Sequence, residues 1–154
     1  MSDAAASRTL VFLKPDAVQR GLVGEIISRF ERRGMKIVGL KMQTVSREVA
    51  EEHYGHHSDK SFFPSLIAFI TSGPIVAMVL ETPDAAAIVR ETVGATSPRK
   101  AAPGTIRFDY AVSMGLNIIH ASEDDAAVPV EIARFFSPDE VNGWNRSVDG
   151  WIVE

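Results

Sequence analysis

Cysteine is absent from the 154 residues. That excludes a disulfide framework and any thiolate metal site. Long apolar runs are absent too: none approaches the ~18 residues that a membrane-spanning helix requires. The opening positions are short, alanine-rich and carry Asp3. They lack the apolar core of a secretory signal, and positions 1–7 are expected to form a flexible tail. A cytoplasmic protein is the expectation, and Asn145-Arg146-Ser147 then matches a glycosylation sequon by chance. There is no basic excess: the formal net charge is -4 and the pI near 5.6. This argues against a general nucleic-acid binder, though a few cations converging on one cleft would suffice for an anionic ligand. The phosphate loop GxxxxGK[ST], the dinucleotide fingerprint GxGxxG, HExxH and GxSxG are all missing.

What is present suits one domain over 8–154. Hydrophobic residues make up 45% and charged residues 23%, as in an ordinary globular chain. Positions 9–13 read as a buried strand. Lys14-Pro15-Asp16 stops it and leaves the Lys14 ammonium at a strand exit, where α/β proteins often bind ligands. Leu22, Ile26, Ile27 and Phe30 predict a helix over 21–33, closed by Gly34. A long strand follows over 35–45, with a bulge or close packing at Gly39. Ser46 caps a short helix to 52 that delivers His53 and Tyr54 into Gly55-His56-His57-Ser58. The spacing of those three histidines fits no strong metal motif. Asp59 is placed as the cap of a helix whose apolar face is Phe62, Phe63, Leu66, Ile67 and Ile70; the pattern favours Phe62 in the core, with exposure at a cleft mouth as the alternative. Positions 75–80 form a further strand.

Thr82-Pro83-Asp84 reads as a helix start, with Arg90 in the last turn before Gly94. Positions 95–116 carry the weakest signal for regular structure and hold Thr96, Arg99 and Arg107; loops this long are usually functional or disordered. A short strand, Ile118-Ile119, then presents His120. Val128, Ile132, Phe135 and Phe136 mark a helix that carries Glu131. Ser137-Pro138-Asp139-Glu140 is a capping box. Trp144 and Trp151 indicate a tail that packs on its own domain or on a partner subunit. The order implies a ferredoxin-like βαββαβ core, an α+β sandwich. It has a four-stranded antiparallel sheet with helices on one face, a long inserted loop and a C-terminal extension.

A histidine at a strand end with a carboxylate in reach of one ring nitrogen keeps the other nitrogen free as base, metal ligand or nucleophile. A histidine that only caps the strand is the plainer alternative. Around His120 the chain offers Lys14, Tyr54, Arg90, Thr96, Arg107 and Asn117. Phosphoryl transfer needs such parts, since its catalysis is mainly positioning and electrostatics.

Several blocks in order carry a resemblance. They are Lys14-Pro15-Asp16-Ala17-Val18-Gln19-Arg20-Gly21, Phe62-Phe63, Ser72-Gly73-Pro74, Pro103-Gly104-Thr105-Ile106-Arg107 and Asn117-Ile118-Ile119-His120-Ala121-Ser122. From Arg8 to Glu154 the chain resembles the nucleoside diphosphate kinases. The resemblance implies ping-pong transfer of the γ-phosphate from ATP or another nucleoside triphosphate to a nucleoside diphosphate. His120 matches the nucleophile, Glu131 the acid on its other ring nitrogen, and Ser122 the neighbouring hydroxyl. Lys14, Tyr54, Arg90, Thr96, Arg107 and Asn117 match the residues that hold phosphates and sugar hydroxyls. Phe62 matches the aromatic on which the base stacks. Mg²⁺ is implied as a cofactor that enters with the nucleotide, without a metal site on the protein. A homo-oligomer, hexamer or tetramer built from dimers, is implied as well, with contacts at the loop around Pro98 and at the C-terminal segment.

Departures from the family pattern are Ala17, Phe108 and Ala121 in place of common glycines. Leu116 replaces a basic residue, Glu123 an aspartate, and Met114 a smaller aliphatic residue. Phe108 would disturb its loop if the backbone there needed positive φ. Two competing readings are a sheet that stacks single-stranded nucleic acid, which the acidic pI opposes, and a folded but catalytically silent relative.

Overall fold

The computed structural model describes residues 5–154. Four strands, β1 (Ala6–Leu13), β2 (Lys36–Thr44), β3 (Pro74–Pro83) and β4 (Ile119–Ala121), form one sheet in the order β2-β3-β1-β4. All three pairings are antiparallel. The helices are α1 (Pro15–Gln19), α2 (Val23–Arg32), α3 (Arg47–His53), α4 (Phe63–Ile70), α5 (Ala85–Val93), α6 (Ile106–Tyr110) and α7 (Val128–Phe135).

The apolar run of β1 is continuous, so it buries both of its faces. Val11 and Leu13 pack with Ile26 and Phe30 of α2 and Val89 and Val93 of α5. Leu10 and Phe12 point the other way, into a second cluster with Ile67 and Ile70 of α4 and Phe135 of α7. Helices therefore cover both faces of the sheet, and the expectation of a single covered face is corrected. The fully apolar Ile75–Leu80 stretch of β3, buried on both sides, requires the same arrangement.

Other boundaries differ for local reasons. β1 begins at Ala6, inside the expected tail, because Ala6 and Ser7 pair with Pro83 and Thr82; Met1–Ala4 lie outside the described residues. That pairing keeps Thr82 and Pro83 in β3, so α5 starts at Ala85 rather than after a Thr82 cap. Asp84 makes the corner at φ 49, and the Ser7 hydroxyl accepts the Ala85 N–H at 2.8 Å. α1 has no counterpart in the sequence pattern: Pro15, at its first position, turns the chain into a helix directly after Lys14. Inside the weak stretch, Thr105 caps α6 by accepting the Phe108 N–H at 3.4 Å. Phe108 is thus helical and takes no positive φ.

The bulge in β2 falls between Ile37 and Gly39. The capping box at Ser137 and Glu140 forms over a 3-10 turn, Pro138–Glu140. Beyond it the chain runs along β2: Asn142 N–H donates to Val38 at 2.7 Å and the Trp144 indole to Ile37 at 3.0 Å. Arg146 donates to the Gly34 carbonyl at 2.8 Å. Trp144 therefore packs on its own domain, whereas Trp151 is 91% exposed.

Candidate active site

His120 is the middle residue of β4, paired with Phe12 of β1. The Phe12 ring stacks on the imidazole at 4.7 Å, and the His53 ring meets it edge-on at 4.4 Å. Nε2 lies 3.0 Å from Glu131 Oε2. The same oxygen accepts the Ser122 hydroxyl at 2.6 Å. A carboxylate accepts only, so Nε2 carries the proton and Nδ1 of the neutral ring keeps a free lone pair. Burial, seconded by Lys14 and Arg107, pushes the His120 pKa below the ordinary imidazole value, against the pull of Glu131. Glu131 loses some hydration, but the hydrogen bonds from His120 and Ser122 outweigh this and hold its carboxyl down at about 2. The pair is therefore built as neutral imidazole and ionised carboxylate.

The cations approach from three elements. Lys14, 8% exposed at the end of β1, donates from Nζ to Asn117 Oδ1 at 2.7 Å. Burial, with the Arg107 charge, lowers its ammonium to about 8. Asn117 in turn donates to the Thr96 carbonyl at 3.0 Å, which ties the exposed Thr96 to the site through its backbone. Arg107, on α6, spends its guanidinium on three carbonyls: Asn117 at 3.4 Å, Gly94 at 3.0 Å and Ile119 at 2.6 Å. Burial, with Arg90 nearby, lowers it to about 10. Arg90 reaches the Ala121 carbonyl at 3.4 Å. These guanidiniums occupy the free edge of β4, where a fifth strand would otherwise donate.

Tyr54, at the end of α3, is 7% exposed, and its hydroxyl is buried without a partner among the described residues. Burial and the Glu131 charge raise its pKa. A buried, unpaired hydroxyl costs free energy unless a ligand meets it. Phe62 is 48% exposed, which corrects the favoured placement in the core and agrees with the alternative of exposure at a cleft mouth. It sits before α4 rather than inside its apolar face, because that helix starts at Phe63. Its ring meets His57 at 5.3 Å, and His57 feels the charge of Glu123 just past Ser122. Phe62 therefore stands at the rim, and the other eight expected residues lie around His120.

Four contributors escaped the sequence reading: Phe12, His53, Arg134 and Asp16. His53 follows Ala50 and adjoins Tyr54 on the buried face of α3, a spacing that was legible. Arg134 donates to its Nδ1 at 2.9 Å, and burial lowers its pKa to about 2, so it is a neutral ring with the proton on Nε2. Ile118, before β4, has φ 62. Such a conformation in a β-branched residue costs about 1–3 kcal/mol and needs surroundings that enforce it.

The sequence pattern of the family described as "Nucleoside diphosphate kinase" matches residues 7–141. The chain belongs to the nucleoside diphosphate kinase family. A nucleoside diphosphate kinase of Pelotomaculum thermopropionicum is 55% identical over 147 residues, 96% of this chain and 99% of that protein. One from Archaeoglobus fulgidus is 52% identical over 147 residues, 96% of this chain and 97% of that protein. Among solved structures, a halophilic nucleoside diphosphate kinase from Halobacterium salinarum in complex with CDP superposes with a TM-score of 0.95 at 50% identity. The match covers 97% of this chain and 100% of that one. A family protein from Babesia bovis gives 0.92 at 45% identity, covering 96% and 99%. The four-stranded α+β architecture is thus that of the nucleoside diphosphate kinases.

Proposed function

We propose that this chain moves the γ-phosphoryl group from a nucleoside triphosphate to a nucleoside diphosphate by way of a phosphohistidine on His120. The observation that carries the reading is the 3.0 Å contact between His120 Nε2 and Glu131, which leaves Nδ1 as the nucleophile. In the first half-reaction Nδ1 attacks the γ-phosphorus. The bond to the β,γ-bridging oxygen breaks and the nucleoside diphosphate departs. The ring now bears positive charge, and the Glu131 carboxylate stabilises it through Nε2–H. In the second half-reaction the terminal oxygen of another diphosphate attacks phosphorus, and the P–N bond breaks. Lys14, Arg90 and Arg107 neutralise the phosphate oxygens, and the Tyr54 hydroxyl donates to one of them. Asn117 and Thr96 hold the sugar and phosphate, and Phe62 stacks on the base without reading its edges.

Among the described residues, the one compact group of metal-ligating side chains is His53, His120 and Glu131. A single carboxylate beside two imidazoles does not suit Mg²⁺, which takes six oxygens. That group is a poor fit for it, and in this proposal Mg²⁺ would accompany the nucleotide and supply charge shielding on its phosphates. A homo-oligomer, hexamer or tetramer built from dimers, belongs to the same proposal. Leu40 and Met42 on the edge strand β2, together with Val112 and Trp151, support it because each is more than half exposed. No described helix is long and apolar enough to cross a membrane, and we place the activity in the cytoplasm, with the nucleotide pools.

The test is label transfer. The protein is mixed with Mg²⁺ and γ-labelled ATP without an acceptor and quenched in alkali. An alkali-stable, acid-labile label is expected on the wild type, absent from His120→Ala and discharged by GDP. A protein that binds nucleotide but takes no label would be the catalytically silent relative.

A further inference from the structure

Ile118 sits at φ 62 directly before the strand that carries His120. Its turn is closed by the Ile119 N–H, which donates to the Asn117 carbonyl at 2.8 Å. This is the rarer, strained form of a three-residue turn. Both backbone polar groups of Ile118 bind the segment that follows β1. Its N–H donates to Asp16 Oδ2 at 3.1 Å, and its carbonyl accepts the Lys14 N–H at 2.8 Å. Ile118 is wholly buried, so without Asp16 its N–H would have no water to turn to.

β4 cannot hold the turn by itself. It is three residues long and pairs with β1 alone. A turn free to relax toward the extended region would rotate the Ile119 peptide and displace His120, two residues on. The Asp16 charge also favours the Lys14 ammonium, but among the described residues the carboxylate forms no close ion pair, and its second oxygen, Oδ1, is buried without a hydrogen-bond partner.

We propose that Asp16 is a positioning residue for phosphoryl transfer, its carboxylate clamping the Ile118 turn so that Nδ1 of His120 stands in line with the incoming phosphorus. The proposal rests on the phosphohistidine reading above. Asp16 touches no reacting atom; it acts through the backbone of Ile118. Asn in its place keeps one oxygen acceptor and preserves the clamp in part, whereas Ala removes it. Glycine at 118 takes positive φ without strain, so it lowers the demand for a clamp.

The experiment compares the wild type, Asp16→Asn, Asp16→Ala, Ile118→Gly and the double variant Asp16→Ala/Ile118→Gly. Two quantities are read: the single-turnover rate of His120 labelling at saturating Mg²⁺–ATP, and hydrogen exchange of the Ile118 amide. For Asp16→Ala the labelling rate is expected to fall on the order of 10- to 100-fold, the effect of misplacing a reacting group by about an ångström. The Ile118 amide should exchange faster, while the KM for ATP changes less than kcat. Asp16→Asn should fall between Ala and wild type. The double variant should label faster than Asp16→Ala alone, a rescue that lost packing would not produce.

A wild-type labelling rate in Asp16→Ala, or unchanged Ile118 exchange, overturns the proposal and leaves the kinase reading standing. A rate loss that Ile118→Gly fails to relieve overturns the clamp as its cause. A wild type that takes no label overturns the phosphohistidine reading instead, and the exchange measurement still decides whether Asp16 holds the turn.

Discussion

Glu131 holds His120 by one ring nitrogen only: Oε2 lies 3.0 Å from Nε2. The contact fixes the tautomer and orientation of the ring and, in the proposed reaction, would meet the positive charge left when Nδ1 takes a phosphoryl group. Glu131→Gln keeps an acceptor oxygen but loses the negative charge. A charge-assisted hydrogen bond contributes about 1.5–3 kcal/mol, so labelling of His120 should slow roughly 10- to 100-fold. Rapid-quench measurement with γ-labelled ATP checks this. An unchanged rate would mean that the negative charge of Glu131 contributes nothing during transfer.

The dependence of kcat/KM on pH should be bell-shaped. In the proposed reaction Nδ1 attacks only from the neutral ring. Burial sets the His120 pKa below its ordinary value of 6.5, so the acid limb should lie below that pH. Lys14 is useful only while charged, and its ammonium is lowered to about 8, so activity should decline above pH 8. Because kcat/KM reports the free enzyme, bound nucleotide does not mask either group. Lys14→Arg keeps its charge throughout and should move the alkaline limb upward. A limb that stays in place would assign it to another group.

Stability should fall in acid in two stages. His53 is neutral in the fold, with its pKa lowered from 6.5 to about 2 mainly by burial. Below pH 6.5 the unfolded chain binds a proton there that the folded chain refuses, so stability drops as pH falls. Glu131 has its pKa lowered from 4.5 to about 2, and its contribution is present above pH 4.5 and is lost as pH falls toward 2. Thermal unfolding of His53→Asn should therefore vary less with pH between 6.5 and 4.5 than that of the wild type, and both should fall below 4.5. Parallel curves over the upper window would show that His53 protonates freely in the fold.

These groups differ in how far the sequence reveals them. The Ile118-Ile119 pair before a histidine is legible as a short buried strand, and Glu131 falls on a helix whose apolar spacing is plain. Asp16 is not legible as a partner of Ile118, because 102 positions separate them. Only the β1–β4 pairing brings them together. Nor does the positive φ at Ile118 leave a trace, since a β-branched residue is not expected there. His53 has a clear place on the buried face of α3, but what lies opposite that face is a tertiary fact. Helices on both faces of the sheet could have been foreseen from the unbroken apolar runs of β1 and β3. The start of α5 could not, because Ser7, 78 residues away, supplies the acceptor for its first N–H.

Gly94 links the end of α5 to the guanidinium at the site. Its φ is 90, and a Cβ placed there would lie 2.5 Å from Thr105 Oγ1 and 3.2 Å from the Ala101 Cβ. Its carbonyl accepts Arg107 Nη1 at 3.0 Å, and Thr105 caps the helix that carries Arg107. Gly94→Ala should thus cost the strain of a backbone conformation (φ 90, ψ 172) open essentially to glycine alone and the displacement of that cap, together roughly 2–6 kcal/mol. Gly104 separates the two contributions: its φ is also 90, but a Cβ there would meet nothing within 4 Å. Gly104→Ala should cost only the strain, about 1–2 kcal/mol. Urea unfolding of both variants measures the difference, and nucleotide titration follows its consequence, since only Gly94→Ala should weaken binding by moving Arg107. Equal losses of stability with equal affinities would mean that the Gly94–Thr105 approach does not govern where Arg107 stands.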